Sequence, residues 1–255
     1  GLFDLGPIDT HRIRLADLAP AVDRPLIAAA LAELDEGRRA RVECRLRRRD
    51  GTEGVVILAV SAVTGPDHSS PFAIAQVHDI TIQRDTEERL LHQTLHDPLT
   101  GLGNRLLLRE RLERATAQRT RAPFALMFID LDRFKAINDT WGHAAGDAAL
   151  CALAELLRTE RTADDTIGRL GGEEFALVIP GADITAGRAA AEQLRAELAT
   201  LEVRYESATI PITASFGVAQ MSATDERPDD AVRRADAAMY RSKQLGRNRV
   251  EHDSG

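Results

Sequence analysis

Four carboxylates in two short segments are the residues of this chain best suited to metal chemistry. Asp130 follows the apolar run PFALMFI and Asp132 comes two residues later, whereas Glu173 and Glu174 follow a Gly-Gly pair in RLGGEEF. If the second segment forms a hairpin beside the strand that ends near Asp130, these carboxylates converge at one end of a sheet. Clustered oxygen ligands suit Mg²⁺, which is commonly held by one or two carboxylates together with substrate phosphates. For the Gly-Gly-Glu-Glu turn by itself, the alternative is a solvated acidic turn.

Cationic residues that could hold phosphates lie in two separate segments. Lys135 follows Asp130 closely in IDLDRFKAIND, and Lys243 and Arg247 flank the end of the last predicted helix in KQLGR. A triphosphate needs several cationic or N–H donors around it. Cations near a helix C-terminus are also ordinary partners of the helix dipole, which is the alternative for Lys243 alone.

Asn138 and Asp147, in AINDTWGHAAGD, could bind the edge of a guanine base. Guanine presents two N–H donors beside the O6 acceptor, and a carboxylate with a carboxamide complements that set. Both residue types are also common in turns and helix caps, so chemistry by itself leaves the two interpretations open.

The elements that must position these residues alternate between helices and strands. Asn104 can cap a helix, and the apolar run at 123–129 is typical of a buried central strand. Further along, the pattern predicts a helix at 145–159, a strand near Thr166, a strand at 175–179, a helix through Ala191, Leu194, Leu198 and Leu201, a strand at 210–219, and a last helix from Pro228 to Gly246. This alternation predicts an α/β (α+β) fold in which helices cover a central sheet.

The first third of the chain predicts a smaller α+β unit. Residues 25–34 are rich in Ala and Leu and favour a helix, which Gly37 ends. The run RARVECRLRRRDG alternates apolar and charged residues as a half-buried strand does, and its Asp50-Gly51 pair marks a hairpin turn. Two more strands are predicted at 55–63 and 72–79, joined by a loop with Gly65, Pro66 and Ser69.

A charged, helical segment at 81–96 is predicted to connect two domains. Its few apolar positions are compatible with a short dimeric coiled coil without requiring one. The predicted organisation is therefore a first domain at 1–80, a connector helix at 81–96 and a second domain at 97–255.

Composition argues against several classes of partner. The chain has 33 Lys and Arg against 40 Asp and Glu, a formal charge of −7, which disfavours non-specific binding to nucleic acid or anionic membrane. We interpret Arg47, Arg48 and Arg49 as charges on a solvated strand face. The two cysteines, Cys44 and Cys151, form no metal-binding or disulfide pattern. The longest apolar stretch, VVILAV, is far below the ~20 residues that span a bilayer. We expect a cytoplasmic chain with no membrane segment and no nucleic-acid partner.

The second domain resembles the GGDEF family of diguanylate cyclases. Four blocks match in order and spacing: HDPLTGLGNR, FIDLDRFKAINDTWGHAAGD, RLGGEEF and ADAAMYRSKQLGRN. Together they cover about residues 95 to 250, and GGEEF is a common active variant of the signature. The resemblance implies a fold like the palm of nucleotide cyclases and polymerases.

The resemblance also implies a role for each matched position. Asp130, Glu173 and the Leu131 carbonyl would bind metal, and Glu174 would bind metal or activate the attacking 3′-hydroxyl. The implied substrate-binding set has two parts: guanine at Asn138 and Asp147 with His143 nearby, and phosphates at Lys135, Lys243, Arg247 and the N–H groups around Arg133 and Phe134.

The reaction implied by the resemblance condenses two GTP molecules into cyclic di-GMP with release of pyrophosphate. The 3′-oxygen of one GTP attacks the α-phosphate of the other, assisted by Mg²⁺ (or Mn²⁺). Because each domain would hold one GTP, activity would require a homodimer.

One position departs from the family pattern. Many members carry an inhibitory product site, Arg-x-x-Asp, whose Asp position here is Asp165 while the Arg position is Thr162. Arg161 and Asp164 form such a pair one residue out of register. We therefore predict that this feedback site is absent or weak.

The first third resembles the C-terminal half of a PAS domain, on the residues RLRRRDGTEGVVILAVSAV and VHDIT. The resemblance implies a partial sensory or dimerisation domain. Because the N-terminal strands that form much of a PAS ligand pocket are not recognisable, we expect dimerisation and coupling rather than sensing. Two alternatives to an active cyclase remain: a catalytically silent module that binds GTP or cyclic di-GMP, and a PAS interaction module with the second domain as a passenger.

Overall fold

The computed structural model describes residues 14–35, 39–48, 50–64, 71–118, 123–159, 165–221 and 227–253. The chain divides into two compact units, residues 1–91 and 92–255. No helix within the described ranges is both long enough and apolar enough to cross a membrane.

In its described part, the first unit consists of a helix and a three-stranded antiparallel sheet of order β1-β2-β3. After a 3₁₀ turn at Leu15–Leu18, the elements are α1 (Arg24–Asp35), β1 (Arg39–Arg47), β2 (Glu53–Thr64), β3 (Pro71–Asp79) and α2 (Thr81–Leu95), the last of which runs into the second unit. The predicted helix, three strands and connector helix are thus present. Their interpretation as a partial PAS domain and a connector stays a prediction.

One face of the three-stranded sheet packs against α1. Ala40, Cys44 and Leu46 of β1 are buried together with Ile27 and Ala30 of α1. The residues between them on β1 are exposed, apart from the half-buried Val42. The alternation seen in the sequence is therefore the burial pattern of this strand.

The prediction that the arginine cluster lies on a solvated strand face is wrong for Arg48. This residue follows the end of β1, and its Nη2 lies 3.1 Å from Asp79 Oδ2 and 2.9 Å from Thr81 Oγ1. Arg48 is therefore held in an ion pair rather than left in solvent. Arg49 and the predicted Gly37 helix stop lie outside the described residues, as does the predicted loop with Gly65, Pro66 and Ser69.

As far as it is described, the second unit is built on a six-stranded sheet of order β11-β10-β5-β7-β6-β4. Its elements are β4 (Gly103–Asn104), α3 (Arg105–Gln118), β5 (Phe124–Leu131), α4 (Phe134–Trp141), α5 (His143–Thr159), β6 (Thr166–Gly171), β7 (Glu174–Pro180), α6 (Ile184–Thr200), β8 (Val203–Tyr205), β9 (Ala208–Ile210), β10 (Ala214–Gln220), α7 (Pro228–Gln244) and β11 (Val250–His252). Strands β8 and β9 form a separate hairpin.

Strand β5 is the centre of this unit and is buried along its whole length. It pairs antiparallel with β7 on one side and with β10 on the other. Met127, Ile129 and Leu131 pack into a core that includes residues of α5 and α6. Phe124, Leu126 and Phe128 pack into a second core with α3 and α7. Helices therefore cover both faces of the sheet, and the predicted α/β (α+β) class is confirmed.

Several boundaries differ from the predictions. The strand predicted at 210–219 is confirmed as β10 from Ala214 onward, but its first residues are not part of that strand, because β9 ends at Ile210. Pro211 lies in the gap, and proline cannot donate a hydrogen bond to a neighbouring strand. The last helix ends at Gln244 rather than Gly246. The sequence did not predict the short α4, the β8–β9 hairpin or β11.

Helix α7 lies in direct backbone contact with the sheet at Gly217 of β10. A Cβ atom at this position would overlap the Met239 amide nitrogen and the Ala235 carbonyl oxygen of α7. Backbone atoms of a packed helix cannot move aside as a flexible side chain can. Glycine at 217 therefore sets the distance between α7 and the central sheet.

Gly217→Ala should push α7 away from β10. We expect the variant to lose about 1–3 kcal/mol of unfolding free energy, the usual range for overpacking a core. Urea unfolding monitored by circular dichroism measures the change. A midpoint equal to that of the wild type would contradict the close helix–sheet contact.

Candidate active site

Asp130 and the Gly-Gly-Glu-Glu turn lie together where β5 ends and β7 begins, a part of the central sheet that we call the acidic edge. Asp130 of β5 pairs in register with Glu174 of β7, and the Leu131 N–H donates to the Glu173 carbonyl at 3.3 Å. Asp130 is only 4% exposed, whereas both glutamates are half-buried. The hairpin expected beside the strand is therefore present, and it brings these carboxylate-bearing residues to one place.

The buried Asp130 carboxylate is compensated by a cation from α7. Lys243 Nζ lies 2.7 Å from Asp130 Oδ2. Burial raises the pKa of Asp130 to about 6, with a smaller contribution from the negative charges of Glu173 and Glu174, while Lys243 acts in the opposite direction. Near neutral pH the aspartate is thus mostly ionised and paired with the lysine.

The described carboxylates do not by themselves form a complete metal cage. No group of three or more His, Cys, Asp or Glu side chains in the described ranges is arranged to hold an ion. Mg²⁺ commonly uses only one or two protein carboxylates and takes its other oxygens from water and substrate phosphates. One buried aspartate with two neighbouring glutamates is compatible with this type of Mg²⁺ site when the Lys243 side chain is not bound to Asp130.

Asp132 is bound by donors from other segments of the second unit, and its place among the converging carboxylates stays a prediction. Its side chain accepts hydrogen bonds from Thr213 Oγ1 at 2.8 Å, Ser215 Oγ at 2.6 Å and the Asn248 N–H at 2.9 Å. Ser215 is also the residue of β10 that pairs in register with Asp130, so the two aspartates share a neighbour on that strand.

The N-terminus of α4 lies directly after this aspartate. Arg133 precedes the helix with φ 56°, a left-handed conformation that is uncommon for a long side chain. Phe134 begins the helix, and Lys135 in its first turn is exposed. The first N–H groups of a helix lack intrahelical partners and favour anions. This segment can therefore bind phosphate oxygens.

Asn138 of α4 lies against α5 at the residue before Asp147. Its Oδ1 is buried and accepts no hydrogen bond from any described residue. A Cβ atom on Gly146 would overlap that oxygen, so only glycine leaves room for the carboxamide. Asp147 and His143, both on α5, are exposed. The carboxamide and carboxylate proposed for guanine thus lie on adjoining helices.

A cavity of about 440 Å³ brings together cations that are far apart in the sequence. Arg133 and Arg247 both line it, with Ile137 and Trp141 of α4 on its wall. Lys135 is not part of the lining. The structure therefore places the predicted cation Arg247 at the same cavity as Arg133, whereas Lys243 pairs with Asp130.

Two residues that hold the Gly-Gly turn were missed as functional candidates. Arg169 donates to the Gly172 carbonyl through Nε at 3.0 Å and Nη2 at 2.7 Å, and its Nη1 lies 3.0 Å from Asp97 Oδ1. Both residues lie within matched blocks of the sequence, HDPLTGLGNR and RLGGEEF, which was the available signal. Arg169 thereby connects the start of the second unit to the turn that precedes Glu173.

The fold and the site define a mixed α/β domain with an acidic, phosphate-compatible edge. Residues 94–249 match the family model described as the diguanylate cyclase, GGDEF domain. The chain therefore belongs to the GGDEF family.

The predicted weak feedback site stays a prediction. Asp165 lies just before β6, but Arg161, Thr162 and Asp164 are outside the described residues.

Curated relatives are longer than this chain. It is 42% identical over 161 residues to the diguanylate cyclase DgcP of Pseudomonas aeruginosa, a match to 62% of this chain and 24% of DgcP. It is 40% identical over 176 residues to the diguanylate cyclase DgcM of Escherichia coli, covering 68% of this chain and 42% of DgcM. The chain thus spans less than half the length of either relative.

Known structures share the fold of the second unit. The coiled coil and GGDEF domain of DgcB from Caulobacter crescentus, in complex with c-di-GMP, superposes with a TM-score of 0.65 at 30% identity, covering 68% of this chain and 93% of that one. The active GGEEF domain of a Vibrio cholerae diguanylate cyclase superposes with a TM-score of 0.56 at 35% identity. This match covers 58% of this chain and 96% of that one.

The Asp97 carboxylate should stabilise the second unit in a pH-dependent way. Burial alone would raise the pKa of Asp97, but hydrogen bonds from Thr100 and Arg169 outweigh it and hold the pKa below its usual value. Because the pKa of Asp97 is lowered in the folded protein, its ionised carboxylate stabilises the fold at pH values above 3.8, the ordinary pKa of an aspartate. This stabilisation is lost as the pH falls below that value through the lowered pKa of the folded protein.

We expect Asp97→Asn to cost about 1.5–3 kcal/mol at pH 7, the usual worth of a charged hydrogen-bonded group. The difference from the wild type should shrink below pH 4. Urea unfolding between pH 7 and pH 3 measures it, and a difference independent of pH would contradict the assigned charge interaction.

Proposed function

We propose that this protein is a diguanylate cyclase that condenses two GTP molecules into cyclic di-GMP and two pyrophosphates. The observation that carries the proposal is the buried Asp130, which faces Glu174 across paired strands and lies 2.7 Å from Lys243. A buried carboxylate with a nearby cation and two further carboxylates at a sheet edge is suited to binding a metal and a phosphate together. Membership of the GGDEF family supports the same reaction.

Guanine recognition is assigned to α4 and α5. The Asn138 carboxamide would pair with guanine, and the exposed Asp147 carboxylate would accept its N–H groups. An acidic acceptor disfavours adenine, whose corresponding edge lacks the N1–H donor. His143, exposed at the start of α5, would lie beside the bound nucleotide.

The phosphates are assigned to two elements that meet beside the sheet edge. At the start of α4, the backbone N–H groups around Arg133 and Phe134 and the Lys135 side chain would donate to phosphate oxygens. From α7 and the residues after it, Lys243 and Arg247 would add positive charge. The shared cavity of Arg133 and Arg247 supports this assignment.

The acidic edge would hold one or two Mg²⁺ or Mn²⁺ ions through Asp130, Glu173, Glu174 and the Leu131 carbonyl. When bound, such ions neutralise charge on the α-phosphate and lower the pKa of the attacking hydroxyl. Lys243, which pairs with Asp130, would then be available to phosphate oxygens, and the ion would replace it as the partner of the aspartate.

Glu174 is the residue proposed to help activate the nucleophile. It is half-buried and also lines a groove between α3 and α7 with Arg105 and Phe128. A carboxylate there can accept the proton of a 3′-hydroxyl as the new P–O bond forms and the bond to pyrophosphate breaks. Because the hydroxyl belongs to a second GTP, a second domain must present it, and the proposed active species is a homodimer.

A silent GTP-binding or cyclic di-GMP-binding module is the second candidate. Such a module would need no metal at Asp130, which Lys243 already neutralises. The presence of Asp130, Glu173, Glu174 and Lys243 together counts against it. The first unit, a helix followed by three antiparallel strands, is proposed to act as a partial PAS-type dimerisation domain in either case.

The test is incubation of the purified chain with GTP and Mg²⁺, followed by chromatography of the products. We expect cyclic di-GMP from the wild type, with a rate per protomer that rises with protein concentration. Glu174→Gln should lower the rate by about 10² to 10⁴, the range for removing an acid–base group. Glu202→Gln, at an exposed glutamate paired with Arg204, is the matched control and should retain the rate.

Two results would count against the proposal. GTP binding without product at high protein concentration would favour the silent module. Equal rates for Glu174→Gln and the wild type would remove Glu174 from the mechanism.

Gly146→Ala tests the proposed base site. The new methyl group would overlap the Asn138 carboxamide, so we expect GTP affinity to fall about tenfold, the worth of one or two hydrogen bonds. Alanine is about 1 kcal/mol better than glycine inside a helix, so melting of α5 would not explain such a loss. Isothermal titration with a non-hydrolysable GTP analogue measures it. Unchanged affinity would mean that Asn138 does not contact the base.

A further inference from the structure

The Asp132 side chain joins three parts of the chain that are distant in sequence. It is 7% exposed, and its two oxygens accept from Thr213 before β10, from Ser215 within β10 and from the Asn248 N–H after α7. Its own N–H donates to the Thr213 carbonyl at 2.8 Å. Nothing in the proposed chemistry of the acidic edge uses this carboxylate.

The segment held by Asp132 after α7 has an unfavourable backbone. Gly246, Arg247 and Asn248 have φ angles of 118°, 65° and 44°, and two of these three residues carry side chains. Such conformations persist only where surrounding interactions enforce them. The bond from the Asn248 N–H to Asp132 Oδ2 is one such interaction, and the Arg247 N–H bond to the Ser242 carbonyl is another.

Asp132 is also covalently joined to the segment that begins α4. It is followed directly by Arg133, the left-handed residue at the start of α4. Asp132, Arg133, Arg247 and Asn248 all line the same cavity of about 440 Å³. One carboxylate therefore connects both segments that are proposed to bind phosphates.

A negative charge in the lining of a phosphate site is unfavourable by simple electrostatics. Its presence requires a compensating benefit, and here both carboxylate oxygens are occupied by donors from the protein. The benefit that the geometry offers is a fixed arrangement of Arg247 relative to the N-terminus of α4.

We propose that Asp132 is a positioning residue for the triphosphate: it holds the Arg247 segment against the start of α4 so that both bind the phosphates of one GTP. This inference rests on the proposed function. It concerns the phosphate tail and not the base, which Asn138 and Asp147 are proposed to hold on α4 and α5.

Equilibrium binding of two probes in the presence of Mg²⁺ tests the proposal. The probes are α,β-methylene GTP, which carries the full phosphate chain, and GMP, which lacks the β- and γ-phosphates. Asp132→Asn keeps the side-chain shape and removes one negative charge, so electrostatics alone would strengthen binding of the triphosphate. Positioning predicts the opposite, a loss of at least threefold for the triphosphate with GMP affinity within twofold of the wild type.

Asp132→Ala removes all three bonds and should weaken triphosphate binding at least tenfold, with the Asn variant intermediate. If the Ala variant does not fold by circular dichroism, the Asn variant decides. Ser215→Ala is the matched control, because it removes one bond to the carboxylate but leaves the bond to Asn248. Its ratio of triphosphate to GMP affinity should remain within twofold of the wild type.

A folded Asp132→Asn variant with unchanged or tighter triphosphate binding would overturn the proposal. Parallel losses for both probes would also overturn it, since they would indicate a general structural role. A wild-type protein that binds neither probe and makes no cyclic di-GMP would instead contradict the proposed function itself.

Discussion

A carboxylate at the end of a fully buried strand is the constraint on which the second unit depends. Asp130 cannot remain charged at 4% exposure without a partner, and Lys243 supplies one at 2.7 Å. Lys243 reaches it because α7 lies in backbone contact with β10 at Gly217. The register of β5 with β7 places Glu174 opposite the same aspartate. Helix packing and strand pairing therefore converge on one charged group.

Two other aspartates hold the loops around that group, and they do so by the same physical means. Asp97 anchors Arg169, which donates to the carbonyl of Gly172 in the turn before Glu173. Asp132 accepts from the backbone of Asn248 in the segment after α7. The segment after α7 contains two non-glycine residues with positive φ, Arg247 and Asn248, whose conformations need support from outside the segment. Carboxylates are well suited to this task because they accept several strong hydrogen bonds at once.

Three polar groups at the site are the ones that the proposed function would use. Lys243 neutralises Asp130, and the Oδ1 of Asn138 is buried against Gly146 without a hydrogen bond from any described residue. In the proposed function, a magnesium nucleotide would offer new partners to all three groups. Such a role needs side chains that the surrounding structure holds in place.

Local patterns in the sequence determined much of this protein. The apolar run at 123–129 predicted β5, alternation predicted β1, and Asn104 caps α3 through bonds from the Leu106 and Leu107 N–H groups. The order and spacing of the four matched sequence blocks indicated the family. Only the tertiary structure showed which donors bind Asp132, that Lys243 pairs with Asp130, and that the strand expected at 210–219 begins only at Ala214. The partners of Asp132 lie 81, 83 and 116 residues away in sequence. Periodicity and capping act over a few residues, whereas the direction of a side chain beyond the end of a strand depends on which distant donors the packed fold brings to it.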